Sequence, residues 1–249
     1  MAIEVQKDRR ETDYAQEERR LLTLLARAGY TPAVIYDIGA AVGGWAETIC
    51  SVCPDAAFHL FEPLADALPV YRAGLAERLA RYPNLTLHKV ALSDSNGETV
   101  MSVSNDSWSS TLVDMGHHAD FKSKVTVAQH RLDDYITAQA LPWPDLIKMD
   151  TQATEHLVIA GATRALGHAE IVMAESWLYR EYGPETPLLT DLAALLEPLG
   201  FQLCALGGHF YDDNHRLYGV DAVFAKRAFL KRFAPRMPKS SWSATGRRA

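Results

Sequence analysis

Cysteine is scarce in this chain: Cys50, Cys53 and Cys204 are the three in 249 residues. No second Cys-x-x-Cys accompanies Cys50–Cys53, which excludes the common four-ligand zinc site. The pair also falls at the C-terminal end of an expected helix, whereas a reactive thiolate is favoured at the positive N-terminal end. The thiols read as inert and partly buried. No apolar run reaches the roughly 20 residues of a membrane span. The charged N-terminus, Lys7 to Arg20, lacks the apolar centre of a signal peptide. A soluble, cytoplasmic protein is expected, without a membrane partner. An excess of basic residues is missing too. The net charge is −6, which argues against general nucleic-acid binding. Internal repeats are absent.

What is present is a composition of 48% apolar and 22% charged residues, enough for one α/β domain with a full core. The chain is organised around Tyr36-Asp37-Ile38-Gly39-Ala40-Ala41-Val42-Gly43-Gly44-Trp45. The apolar run Ala33–Tyr36 enters it as a buried strand. Its glycines allow a sharp turn and close backbone approach to a ligand, and a helix follows from about Trp45 to Cys53. Strand, glycine turn and helix form the nucleotide-binding corner of a doubly wound sheet. Asp37, two residues before the first glycine, would repel a pyrophosphate. It suits S-adenosylmethionine, which carries an ammonium and a sulfonium and no phosphate. Ala41 stands where the dinucleotide pattern wants its second glycine.

Strands and helices alternate along the rest. Residues 1–12 are polar, and a helical pattern runs from about Asp13 to Ala28 and is stopped by Gly29 and Pro32. Further strands are expected at Ala56–Phe61, Leu85–Leu92, Glu98–Ser104, Val125–Leu132, Asp145–Asp150 and Ala169–Glu175. Helices are expected from Leu64 to Leu79 (kinked or begun by Pro69), at Asp133 as an N-cap, over Glu155–Leu166, and from Pro187 to Gly200. Phe201–Leu206 and Val220–Lys226 lie too close in sequence for a helical crossover, so they should pair antiparallel. The predicted fold class is α/β, a doubly wound, mostly parallel seven-stranded sheet with a terminal antiparallel pair. The predicted organisation is an N-terminal helical extension (1–30), a catalytic domain (31–228) and a basic, flexible tail (229–249). The polar segment from Asn105 to Lys124 is long for a plain connection and reads as a lid.

Three stretches together resemble the FkbM family of S-adenosylmethionine-dependent methyltransferases. They are Asp37-Ile38-Gly39-Ala40, Phe61-Glu62-Pro63 and Leu146-Ile147-Lys148-Met149-Asp150-Thr151-Gln152-Ala153-Thr154-Glu155. Ala91-Leu92-Ser93-Asp94, Gly97-Glu98 and Leu132-Asp133-Asp134 fit as well, so the likeness spans roughly residues 33–175. One departure stands out: Gln152 and Ala153 occupy the places of the family's usual Glu and Gly.

The resemblance implies S-adenosylmethionine as cofactor and a hydroxyl of a small molecule, such as a sugar, glycoside or polyketide, as methyl acceptor. Asp37, Gly39, Ala40, Ala41, Gly43, Trp45, Glu62, Pro63, Ala91, Leu92 and Asp150 are the expected cofactor-binding residues. Glu62 ends its strand where an acid can accept both ribose hydroxyls, and Ala91 and Leu92 suit a base held by packing. Lys148 shares a strand face with Asp150 and needs a partner, Asp150 or Glu175. Candidates for the chemistry are Asp150, Lys148, Glu175, His117 and His118, with the base left open between Asp150 and a lid histidine. Asp150 and Glu175 end adjacent strands and could instead share a divalent cation, although no third ligand is evident. Trp108, Trp177, Tyr179, Tyr182, His209, Phe210 and Tyr211 are the expected aromatic lining of an acceptor pocket. The alternatives are a nicotinamide-dependent oxidoreductase and a catalytically silent cofactor binder, the second kept open by Gln152-Ala153. The oligomeric state is open, a homodimer included.

Overall fold

The computed structural model describes the backbone of residues 9–233, except 107 and 117, and side chains from residue 15 onward. Its elements in chain order are α1 (Arg9–Arg27), β1 (Val34–Ile38), α2 (Gly44–Cys50), β2 (Ala57–Phe61), α3 (Pro69–Arg81), β3 (Leu85–His88), β4 (Ala91–Leu92), β5 (Gly97–Ser104), β6 (Phe121–His130), α4 (Leu132–Gln139), β7 (Leu146–Met149), α5 (Glu155–Gly161), α6 (Thr163–His168), β8 (Ile171–Trp177), α7 (Leu189–Leu196), β9 (Phe201–Tyr211), β10 (Leu217–Lys226) and α8 (Arg227–Phe233).

Seven strands form one sheet in the order β3-β2-β1-β7-β8-β10-β9. The first five pair in parallel, and β10 is antiparallel to both β8 and β9. The fold is α/β, mostly parallel, with the antiparallel pair at its end. Strands β1, β7 and β8 are apolar runs because both sheet faces are covered, as a parallel sheet requires. Ile35, Leu146 and Met173 face the side that holds α1, α2 and α8. Tyr36, Ile147, Val172 and Phe224 face α4 to α7. The strand order reverses between β1 and β7, and a crevice opens there beyond the strand ends.

Four departures from the expected elements trace to particular contacts. The third strand is cut at Lys89–Val90. Leu85–His88 stays in the main sheet, while Ala91–Leu92 leaves it for a second sheet in the order β4-β6-β5. The helix over 155–166 is two helices, because at Gly161 the chain passes so close to Ser93 that a Cβ would lie 2.0 Å from its carbonyl oxygen. Asp133 is not the N-cap of its own helix: its carboxylate accepts the N–H groups of Arg164 and Ala165 at 2.8 and 2.9 Å, capping α6 instead. Pro187 precedes α7 rather than opening it, and Asp191 reaches back to the N–H of Leu188 at 2.9 Å.

The described residues carry helix further toward each end than expected. Helix α1 starts at Arg9 and packs on α2 and β9. The first residues of the expected mobile tail form α8. Phe229 and Phe233, one helical turn apart, meet the edge of the Tyr30 ring at 5.0 and 6.3 Å. Burying each ring stabilises the fold by roughly 2 kcal/mol. Residues 234–249 lie outside the described residues.

Candidate active site

A cavity of about 600 Å³ opens where β1, β2, β7 and β8 end, a size that holds a drug-sized ligand. Its outer wall is the turn after β1. Gly39 has a φ of +76°, and a Cβ there would sit 1.8 Å from the backbone oxygen of Asp150. Only glycine lets β1 and β7 end so close together. Ala41, with φ +48°, holds a left-handed conformation without being glycine, and turns its N–H onto Glu62 Oε2 at 2.9 Å. Glu62 Oε1 accepts the N–H of Leu64 at 2.8 Å. Burial pushes the Glu62 carboxyl up to about 7, against the pull of those two N–H groups. Each oxygen accepts one such N–H and has acceptor capacity left, and Glu62 lines the cavity. Ala40, Trp45, Pro63, Ala91 and Leu92 line the same end.

Behind this wall runs a row of charges. Asp37 and Lys148 are register partners on β1 and β7. Lys148 Nζ lies 3.1 Å from Asp37 Oδ1, 2.9 Å from the Gly39 carbonyl and 3.5 Å from Asp150 Oδ2. Burial opposes its charge, yet the Asp37 and Asp150 carboxylates hold the ammonium above the usual lysine range. Asp37 therefore faces inward to Lys148 and does not line the cavity, contrary to the expectation that it meets the ligand. Gly43 is likewise displaced: at φ +83° it caps α2 and packs on Arg78 and Leu60.

After β7 the chain makes a strained turn in which Gln152 and Ala153 have φ of +54° and +74°. The backbone freedom that the family's glycine would supply is still used, by an alanine. Non-glycine residues persist in such conformations where the surroundings fix them, and functional sites are where this clusters. Here the fixing groups are explicit. Gln152 Nε2 donates to Asp150 Oδ1 at 2.8 Å and to Glu175 Oε2 at 2.9 Å. Its Oε1 accepts the Tyr182 hydroxyl at 2.5 Å, and its carbonyl accepts Thr111 Oγ1 at 2.6 Å. Glu155, fully buried, accepts the N–H of Thr151 at 2.7 Å and its hydroxyl at 3.0 Å, and burial raises its carboxyl to about 7. Glu175 is held well above the usual carboxylate range by burial and then by the charge of Asp150.

The expected aromatic lining is met in part. Trp108, Trp177 and Phe210 line the cavity. Tyr182 sits one layer out and reaches it through Gln152. His209 and Tyr211 are exposed, because β9 extends through Tyr211 and successive side chains alternate faces. Tyr179 is exposed under the Arg216 guanidinium, 4.6 Å from its ring centre. In the lid, Trp108, Ser109 and Ser110 reach the cavity, while His118 pairs with Asp120 at 3.6 Å in solvent and does not. His117 lies outside the described residues. Cys50 and Cys53 are buried, and their thiols are pushed up to about 11 by burial, whereas Cys204 is exposed.

Sequence reasoning missed Glu18, Tyr218 and Asp221, which line the inner end. One signal was available for Asp221, a lone acid in an apolar strand. Among the described lining residues, six carry carboxyls (Glu18, Glu62, Asp106, Asp150, Glu175 and Asp221) against the single cation Lys148. No three described carboxylates, imidazoles or thiols converge on a point that a metal ion could occupy. No described helix is long and apolar enough to cross a membrane.

Known proteins share this fold. A curated relative, the 2-O-methyltransferase NoeI of Sinorhizobium fredii, is 28% identical over 200 residues, covering 75% of this chain and 79% of the relative. The structure of a methyltransferase FkbM from Methylobacillus flagellatus superposes with a TM-score of 0.50 at 18% identity. It covers 78% of this chain, which spans only 43% of that longer one. Magnesium protoporphyrin IX methyltransferase from Synechocystis, solved with bound S-adenosylhomocysteine, also gives 0.50 at 13% identity, over 91% of this chain and 89% of that one. Residues 37–203 match the methyltransferase FkbM domain, from β1 to the strand that closes the sheet, and the chain belongs to that family of methyltransferases.

Proposed function

We propose that this methyltransferase moves a methyl group from S-adenosylmethionine to a hydroxyl of a small molecule. The observation that carries the choice of donor is the charge of the cavity. Six carboxyls line it beside one lysine that is already paired, so a pyrophosphate would meet no free cation, whereas a cationic donor would favour the ionised forms that burial of Glu18, Glu62, Glu175 and Asp221 disfavours. The same count speaks against a nicotinamide dinucleotide. A neighbour in fold that binds S-adenosylhomocysteine, and a curated relative named for 2-O-methylation, support the reading.

The residues fit the donor. Glu62 has acceptor capacity left for ribose hydroxyls, Ala91 and Leu92 offer small apolar walls to a base, and the bare Gly39 turn admits close approach. Bound there, the donor would supply a methyl group on a sulfonium, an electrophile needing no further activation. The chain's part is to align and to accept a proton. Alignment and exclusion of water can supply roughly 7–11 kcal/mol. Asp150, oriented by Gln152 and Lys148, is placed to accept the hydroxyl proton as the new O–C bond forms and the S–C bond breaks. Glu175, bridged to it by Gln152, can share that proton. Such base assistance is worth ~10²–10⁴-fold.

The test is calorimetric titration of the protein with S-adenosylhomocysteine and, separately, NAD, followed by a mass-shift screen of glycosides and polyketides with the methyl donor. Saturable binding of S-adenosylhomocysteine is expected. Asp150→Asn should lower single-turnover rate by ~10²-fold or more with donor affinity changed far less. Saturable NAD binding without S-adenosylhomocysteine binding overturns the reading. Donor binding with a normal rate in Asp150→Asn removes Asp150 as base.

A further inference from the structure

The inner end of the cavity carries groups that methyl transfer, as described above, does not use. Glu18 of α1 is 3% exposed; its Oε1 accepts the N–H of Gly208 at 3.2 Å, and its Oε2 faces no donor among the described residues. Asp221 lies beside it and directly across the β8–β10 pairing from Glu175. Strand β9 is bare where these acids sit. A Cβ on Gly207 would fall 2.0 Å from Glu18 Oε1, and one on Gly208 2.5 Å from Asp221 Oδ2. Trp177, two residues after Glu175 and so on the same strand face, is 6% exposed, and its Nε1–H has no acceptor among the described residues. The Tyr218 ring stacks on Trp177 at 5.8 Å, and Phe210 completes the wall.

A buried carboxyl beside a half-buried one is satisfied either by a proton held between them or by a cation. Burial first, and for Asp221 then the charge of Glu18, keeps both carboxyls above the usual range, so the pair stands ready to exchange a proton for a cation. Lys148 cannot be that cation, being committed to Asp37 and Asp150. A metal ion is disfavoured by the spread of the acids. An ammonium can divide three N–H bonds among separated carboxylates and gains further from aromatic faces. The orphan Trp177 N–H asks for an oxygen acceptor close by.

We propose that this end of the cavity binds a protonated amine of the acceptor between Glu18, Asp221 and Glu175, with a neighbouring hydroxyl or ether oxygen on Trp177 Nε1. The acceptor class is then an amino alcohol or amino sugar. The inference rests on the methyltransferase reading, which leaves the Gly39 end to the donor. The donor's own ammonium is the other possible source of the same chemistry.

The test is calorimetry on the full chain saturated with S-adenosylhomocysteine, titrated at neutral pH with benzylamine, benzyl alcohol and 2-amino-2-phenylethanol. Benzylamine should bind at least ~10-fold tighter than benzyl alcohol, the ratio that one charge-assisted hydrogen bond gives. Glu18→Gln and Asp221→Asn should remove the difference, and the amino alcohol should gain an increment over benzylamine that Trp177→Phe loses. Equal affinities of benzylamine and benzyl alcohol for the unaltered protein overturn the proposal, whatever the variants do. So does benzylamine binding that is abolished by saturation with S-adenosylhomocysteine but persists when 5′-methylthioadenosine is used in its place, because the site is then the donor's. Failure of S-adenosylhomocysteine to bind at all overturns the methyltransferase reading and this proposal with it.

Discussion

Gln152→Glu puts the family's usual acid back and asks what the amide does. The exchange keeps the shape and leaves Oε1 to accept the Tyr182 hydroxyl. It replaces an NH₂ that donates at 2.8 Å to Asp150 and 2.9 Å to Glu175 by an oxygen. If the new carboxyl keeps a proton, it offers one O–H in place of two N–H bonds, a loss of about 1.5–3 kcal/mol for a bond to a charged group. Ionised, it would set a further negative charge against Asp150 and the buried Glu175. Its folded pKa must therefore rise above the unfolded value of about 4.3. Below that value both states hold the proton and only the lost bond counts. Above it the unfolded chain ionises while the folded chain does not, and the gap grows by up to about 1.4 kcal/mol per pH unit until the folded pKa is passed. The site is half-buried, so screening trims this, and about 2–4 kcal/mol is expected at neutral pH. For a chain of this size that lowers Tm by about 4–16 °C. Urea or thermal denaturation of both proteins from about pH 5 to pH 8 reads the effect, with the gap widening as pH rises. A gap that stays constant, or closes toward alkaline pH, refutes the bridge.

Two more expectations follow from the same wall of the cavity. Glu62 titrates near 7 in the folded protein, so its contribution to stability is complete below about 4.3 and lost as pH rises through 7. Ribose hydroxyls need the ionised form, so affinity for S-adenosylhomocysteine should rise by up to ~10-fold per pH unit below 7, level off above it, and lose this dependence in Glu62→Gln; a flat profile in the unaltered protein contradicts the ribose assignment. Gly39→Ala combines a left-handed φ with a Cβ 1.8 Å from the Asp150 oxygen. It should destabilise by about 2–5 kcal/mol in urea, and an unchanged midpoint would show that the two strand ends separate freely.

The parts of this fold that could be read in the sequence are those whose cause is local. Ala33–Tyr36 and Leu146–Met149 are apolar because both faces of a parallel strand are covered. The Gly39 turn needs its glycine whatever packs around it. The short span between β9 and β10 leaves no room for a crossover helix. What could not be read depends on distant partners. Asp133 has the right residue type for a cap and caps a different helix, a choice made by tertiary packing. The break after His88 follows from β6, which takes Ala91 and Leu92 into another sheet. In the site, Glu62 was legible because a strand end and a proline turn fix it, but Asp37 was assigned to the ligand when its register partner on β7 was a buried lysine. Glu18 and Asp221 are 203 residues apart and meet only because two glycines of β9 leave space for both carboxyls. The Phe229 and Phe233 spacing of one helical turn was the overlooked sign of α8.

The charge row also explains why a cavity rich in carboxyls would keep one lysine. Carboxylates near a sulfonium favour a cationic donor over its neutral product, by up to about 4 kcal/mol for a pair 4 Å apart near a protein surface. That preference helps exchange, yet it works against the chemistry, because the positive charge on sulfur disperses as the methyl leaves. An interaction stronger in the ground state than in the transition state adds nothing to the rate. Lys148 limits the conflict. It pairs with Asp37 and lies 3.5 Å from Asp150, so the acid proposed as base would be part-balanced by a fixed cation rather than left to grip the sulfonium. Glu18 and Asp221 belong to α1 and β10, with Asp221 across the strand pairing from Glu175, and on the proposed reading they take the charge of the acceptor. On this reading the fixed cation Lys148 near β7 and the protonatable acids near β10 would let one cavity hold two cationic partners.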